Sequence, residues 1–280
     1  MRLSGLPFIF REIIQRKYVT VLYFHDIGPD AAELSFKLLK SLYNVISLNT
    51  FLDAYNSHKL ENLPAKSLII TFDDGHKENY RLLPIINKYR VPITIFLCMG
   101  IVGTNRHYWW TERPAKISFN KLMNLSNKKR LKILMNYGFS QKYEYDERQA
   151  LLTDEIKEMA LVKYINFESH TLFHPFLDRC DYNESLIECL KSKILLENDY
   201  GINVRSLSYP NGNYSQKVKK LLKLIGYECA FTVKPGYNNY KTDLFELKRF
   251  STNDTTDINE LIVKASGIWR LITFNLNKMS

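Results

Sequence analysis

Cysteine is scarce here and unpaired. The four that occur, Cys98, Cys180, Cys189 and Cys229, form no CxxC pair, which argues against a disulfide scaffold or a structural zinc cluster and makes reduced thiols the expectation. No apolar run approaches the roughly 18–20 residues of a membrane span; the longest, 91–103, reads as a buried strand with its exit loop. The apolar run at 6–10 is broken by Arg11 and Glu12, too short for the core of about 7–15 residues in a cleaved export signal. A cytoplasmic chain is therefore expected, peripheral at the inner face of a membrane if it touches one. Internal repeats, low-complexity tracts and nucleic-acid-binding motifs are also missing.

What is present is ordinary globular usage: 280 residues, 45% hydrophobic and 24% charged, within the range of one large α/β barrel. Lys and Arg outnumber Asp and Glu by 39 to 29, a net charge of +10, which favours anionic partners without choosing among them. The basic cluster Lys128-Lys129-Arg130 reads as a solvated helix face, and no nucleic-acid partner is expected.

Short β-branched and aromatic runs alternate with longer amphipathic segments, the pattern of βα units around a parallel sheet. It predicts strands at 19–24, 44–48, 67–72, 92–98, 164–167, 206–209, 228–233 and 246–249. Helices are predicted at 31–42, 50–57, 77–89, 153–162, 184–200, 215–225 and 257–274. Leu34, Leu38 and Leu42, and again Leu186, Leu190 and Ile194, show i, i+4 spacing and suggest core-facing stripes. The expected organisation is a basic N-terminal extension over 1–18 and a single barrel over 19–280, interrupted by an insertion at about 104–150.

Chemistry-bearing residues collect just after predicted strands: His25-Asp26, Asp73-Asp74-Gly75, His170 with His174, Pro210-Asn211-Gly212, and Arg249. In a parallel barrel all these positions lie on one face. Asp73 and Asp74 follow an apolar strand, with a Gly that permits a sharp turn; the bland alternative is one helix cap and one exposed acid. His170 and His174 stand four apart with Pro175 behind them, so a single helical turn would set both imidazoles on one side. Two histidines and a carboxylate suit a catalytic zinc or a non-haem iron.

In combination, Thr71 to Gly75, His170 to His174 and Ser208-Tyr209-Pro210-Asn211-Gly212 resemble the successive motifs of the polysaccharide deacetylase family, the NodB homology domain. The similarity runs from about Thr20 to Asn253. It implies a distorted (β/α) barrel of seven or eight strands, TIM-like, that hydrolyses an N-acetyl or less often an O-acetyl group on a carbohydrate. It also implies a divalent metal: Zn2+ first, with Co2+, Ni2+ or Fe2+ as the others. Asp73 would match the general base, and Asp74, His170 and His174 the metal ligands.

Many members carry a late Leu-x-His that supplies the general acid, whereas the last histidine here is His174. Tyr23-Phe24-His25-Asp26 instead resembles the permuted subgroup similar to poly-N-acetylglucosamine deacetylases, which makes His25 the acid and Arg249 the residue that steadies the base. Without that resemblance, His25 would read as a packed histidine beside a capping Asp26. Ser208 and Asn211 stand where many members have Arg and Tyr. Tyr209, Pro210 and Asn211 would contribute oxyanion and substrate contacts, Asn211 through its backbone N–H.

Rival readings keep the barrel: a deformylase or other amide hydrolase, or a non-catalytic carbohydrate-binding relative, since a fold does not choose its substrate. An iron oxygenase matches the ligand count but not the strand context. The expected partner is an N-acetylated saccharide, in a cell-envelope polysaccharide or its lipid-linked precursor. The apolar stretch 261–276, with Lys264, Trp269 and Arg270, would suit contact with an anionic membrane, although the last barrel helix accounts for it more simply.

Overall fold

Eight short apolar runs become strands because their β-branched and aromatic side chains fill both faces of a sheet covered by helices. They are β1 (Thr20–Phe24), β2 (Asn44–Val45), β3 (Ser67–Phe72), β4 (Ile93–Leu97), β5 (Ile165–Ser169), β6 (Ser206–Ser208), β7 (Cys229–Phe231) and β8 (Phe250–Ser251). The computed structural model describes residues 5–269. All strand pairs are parallel, in the order β7-β6-β5-β4-β3-β1-β8, with β2 beside the start of β3. A parallel bridge from Phe231 to Leu247 joins the two ends of this curled sheet. The architecture is the expected distorted barrel in a single domain.

The register levels the strand ends. Phe24 pairs with Phe72, Leu97 with Ser169 and Ser208 with Phe231. The next residue along each strand therefore sits on one rim, which is how His25, Asp73 and His170 reach a common mouth.

Several expectations need correction. The strand expected at 246–249 forms instead at Phe250–Ser251, because Leu247 is used in the bridge to β7. The helix expected at 77–89 is a 3-10 turn over Lys77–Leu82 followed by an α-helix over Leu83–Tyr89, since Pro84 fits the first turn of a helix and not its interior. Both leucine stripes flank the core face and do not form its centre: Leu34 and Ile194 are 45% and 41% exposed, while Leu38 and Leu42 pack against the core half-buried. In the helix Tyr182–Tyr200 the buried face is Ser185, Glu188, Cys189, Ser192 and Leu196; Ser192 shares a 2.8 Å hydroxyl contact with Ser169 at the end of β5, and Glu188 accepts from the loop beyond it. Arg130 is fully buried, not solvated: its guanidinium lies 4.5 Å from the Trp109 ring and 4.6 Å from Phe176.

The N-terminal segment is helical over 6–17 and docks through Gln15, whose buried amide donates to Thr20 Oγ1 and Ala265 O, each at 2.8 Å. The last described helix, Ile258–Ala265, buries Leu261, Val263 and Ala265, so this part of 261–276 faces the core; the remainder of the predicted 257–274 helix lies in part outside the described residues. No described helix is long and apolar enough to cross a membrane.

Candidate active site

A cavity of about 520 Å³ opens at the rim, lined by His25, Asp73, Asp74, His170, His174 and Asn211 among others. A larger cavity of about 640 Å³, bordered by Arg16, Tyr18, Ser67 and Asn238, lies by the strand starts and holds none of the expected catalytic groups.

Asp73 follows β3 and is held there by its N–H donating to Phe24 O at 3.0 Å. Neither it nor Asp74 caps a helix. Gly75 turns the chain at φ +78°, and a Cβ there would sit 2.6 Å from Leu97, so only glycine lets the turn pack against β4. Arg249, fully buried, donates from Nη1 to Asp73 Oδ1 and from Nη2 to Oδ2, each at 2.8 Å. Ser208 bridges them, receiving from Arg249 Nη2 at 2.8 Å and donating to Asp73 Oδ2 at 3.3 Å. Burial alone would raise the Asp73 carboxyl; the charges of Arg249, His170 and His25 outweigh it and hold it below the usual carboxylate range.

Asp74 turns the other way. Its Oδ1 lies 3.3 Å from His170 Nε2 and 3.5 Å from His174 Nε2, and the three ligand atoms fall within 4.8 Å of one another. Asp74 Oδ1 is buried and accepts no hydrogen bond. His170 Nδ1 lies 2.8 Å from Ser208 O; a carbonyl only accepts, so Nδ1 carries a proton and Nε2 is left to face the carboxylate. A neutral Nε2 lone pair opposite a carboxylate oxygen is repulsive unless a cation or a proton lies between. This donor set fits a divalent cation held by two imidazoles and one carboxylate. Burial lowers His170, but Asp73 and Asp74 outweigh it and raise its pKa, so a proton competes for the same position. His174, depressed to about 3 chiefly by burial, is neutral.

The two histidines are not on a helical turn. They sit on an irregular loop in which Thr171 and His174 both have positive φ, 69° and 55°. Glu188 Oε2 accepts from Leu172 N and Phe173 N, each at 2.9 Å, and Thr171 Oγ1 accepts from His174 N at 3.1 Å. Asp74 and Asn211 are also left-handed, at φ 73° and 54°. Strained backbone of this kind, costing about 1–2 kcal/mol per residue, thus gathers around the cavity.

His25 follows β1; its N–H and that of Asp26 face the Asp254 carboxylate at 3.3 and 3.2 Å. Asn211 lines the cavity and ties its side chain to Asn213. Tyr209 does not reach the cavity: its ring is buried and its hydroxyl donates to Phe245 O at 3.1 Å. Pro210 is likewise buried and shapes the turn.

The sequence reading missed five contributors. Trp109 donates to His174 O at 3.1 Å, and the Trp110 ring lies 4.4 Å from the His174 ring. Trp109 and Trp110 therefore build one wall of the site, and the two adjacent tryptophans were the available signal. His76 Nε2 stands 3.2 Å from Asp74 Oδ2, two residues beyond the acid and open to notice. Glu188 and Asp254, remote in sequence, gave no local sign.

The chain is 25% identical to YxkH of Bacillus subtilis over 185 residues, covering 66% of this chain and 50% of that protein. It is 28% identical to the poly-β-1,6-N-acetyl-D-glucosamine N-deacetylase of Staphylococcus epidermidis over 193 residues, 64% of this chain and 53% of that one. The chain thus spans about half the length of these curated relatives. Among solved structures, the Streptococcus pyogenes deacetylase PplD superposes with TM-score 0.65 at 19% identity, over 89% of this chain and 98% of that one. IcaB from Ammonifex degensii gives 0.64 at 19%, over 90% and 98%; both likenesses show the fold. Residues 61–230 match the polysaccharide deacetylase profile, more than half of the sequence, and the chain belongs to the polysaccharide deacetylase family.

Proposed function

We propose that the protein is a metal-dependent hydrolase that removes an acetyl group, in the first instance N-acetyl, from a carbohydrate. The observation that carries the reading is the division of labour between adjacent acids, Asp73 clamped by Arg249 and Asp74 turned to His170 and His174. The staphylococcal relative is named for poly-β-1,6-N-acetyl-D-glucosamine, which supports an N-acetylated polysaccharide as the substrate class. Tyr23 and Trp110, which line the cavity, offer faces on which a sugar ring can rest.

Asp74, His170 and His174 would hold the ion, Zn2+ in the first instance. When bound, it supplies Lewis acidity and a lowered water pKa. Asp73, kept ionised by Arg249, accepts the proton of the attacking water. Asn211, its side chain tied to Asn213, donates its backbone N–H to the developing oxyanion, a contact of the kind worth about 10²–10³ in rate. His25 delivers a proton to the departing amine.

The test is acetate release from a panel of N-acetylated saccharides by zinc-loaded protein, beside Asp74→Ala and a chelator control. Acetate lost in both controls supports the reading. Stoichiometric zinc with no acetate from any saccharide overturns it, and formate release from N-formylated analogues run beside the panel would point to the deformylase alternative.

For the membrane partner we propose the N-terminal helix as the contact. Phe8, Ile9 and Ile13 are 59%, 45% and 66% exposed there, near exposed Arg16 and Lys17, a combination suited to anionic lipid. Cosedimentation with anionic vesicles, lost in Ile9→Glu/Ile13→Glu, is expected; failure of the unaltered protein to sediment would dismiss it.

A further inference from the structure

Asp74 has two carboxylate oxygens in different surroundings. Oδ1 faces His170 and His174 and accepts no hydrogen bond. Oδ2 lies 3.2 Å from His76 Nε2, on the other side of the carboxylate. His76 is not part of the converging set formed by Asp74, His170 and His174.

His76 is itself held. Its backbone bridges Ala150 in the segment between β4 and β5, its carbonyl accepts from Asn79 N at 3.0 Å, and its ring packs 5.1 Å from the Tyr108 ring. Tyr108 in turn donates its hydroxyl to Asp74 O at 3.2 Å. Ala150 and Tyr108, both from the segment between β4 and β5, thus brace His76 and the backbone of the acid that His76 touches.

We propose that His76 is a positioning residue that makes Asp74 a one-oxygen metal ligand. This rests on the metal-site reading above. A free carboxylate can bind a cation through one oxygen or both. An N–H donated by His76 Nε2 to Oδ2 engages that oxygen, turns Oδ1 to the ion and keeps a coordination position open for water and the substrate carbonyl, as catalytic zinc sites require. Partners of this type commonly govern metal affinity by about 10–100-fold.

The experiment compares full-length protein with His76→Phe, His76→Asn and His76→Gln. Gln can place an N–H near the position of the imidazole Nε2, whereas Asn reaches only the position of Nδ1 and Phe offers no donor. Zinc affinity is read by chelator competition, and the absorption spectrum of the Co2+-loaded protein reports coordination. His76→Phe and His76→Asn are expected to weaken zinc binding by about 10–100-fold and to alter the Co2+ spectrum, while His76→Gln recovers most of both. If Phe does not fold, Asn against Gln makes the same comparison.

Zinc affinity and spectrum unchanged in both Phe and Asn would overturn the proposal while leaving the metal site standing. Gln as damaging as Asn would overturn it by pointing to the imidazole as a ligand. A wild-type protein without stoichiometric zinc binding would remove the metal reading and this inference together.

Discussion

Arg249 and Asp73 meet side on, two guanidinium nitrogens to two carboxylate oxygens, each at 2.8 Å, with the arginine fully buried. They come from the residue just after β3 and from the segment before β8, 176 residues apart. This geometry fixes the orientation of the acid and holds it ionised.

Removing Arg249 leaves a buried, uncompensated carboxylate. Arg249→Met should cost about 3–5 kcal/mol of stability at neutral pH. In the unaltered protein the lowered Asp73 pKa contributes stability above the unfolded value of about 3.9, lost as pH falls through the folded pKa. In the variant, burial without the arginine should raise that pKa, so the deficit should shrink on acidification. Urea unfolding at pH 4.5 and 7.5 measures this; an equal deficit at both would contradict it.

His25 as proton donor predicts a dependence on the leaving group. His25→Ala should lower turnover of an N-acetyl sugar by about 10²–10⁴ but affect p-nitrophenyl acetate little, because its phenolate departs without protonation. Equal losses on both substrates would assign His25 to binding or packing.

Protons and the metal compete at His170. Its pKa, lowered by burial but raised further by Asp73 and Asp74, means that zinc must displace a proton below that value. Apparent zinc affinity should therefore fall about tenfold for each pH unit of acidification below the raised pKa. Calorimetry in buffers of different ionisation enthalpy should show about one proton released; none released would remove the competition.

Glu188 tests the loop that carries the two histidines. Burial raises its carboxyl to about 7 despite the N–H groups of Phe173 and Leu172. The unfolded chain ionises near 4.3, so between about pH 4.3 and 7 the folded state binds more protons and stability falls as pH rises. Relative to Glu188→Gln, the metal-free wild type should lose up to about 3 kcal/mol across that window. A constant difference would place the Glu188 pKa near its unfolded value.

Seven of the eight strand positions and most of the rim residues were legible because they follow short-range rules. A β-branched run ending in Asp73-Asp74-Gly75 reads the same in any barrel, and the parallel topology places every strand end on one face. The irregular loop that carries His170 and His174, in place of the expected helical turn, was not legible, because Glu188 and Thr171 hold it through contacts that spacing does not encode. Arg130 misled for a similar reason: in sequence it sits in a basic run, while in space Trp109 and Phe176 enclose it.

By itself the sequence determined the alternation of strands and helices and the residue types at the rim, since these depend on local propensity and periodicity. The pairing of Arg249 with Asp73 and of Asp74 with His170 and His174 was expected through the family resemblance; only the tertiary structure decided that the arginine grips both carboxylate oxygens, that Asp74 turns its second oxygen to His76, and that Trp109 and Trp110 wall the cavity. Those pairings depend on side-chain direction and burial across strands far apart in the chain, where a shift of a few ångströms separates an ion pair from two unrelated charges.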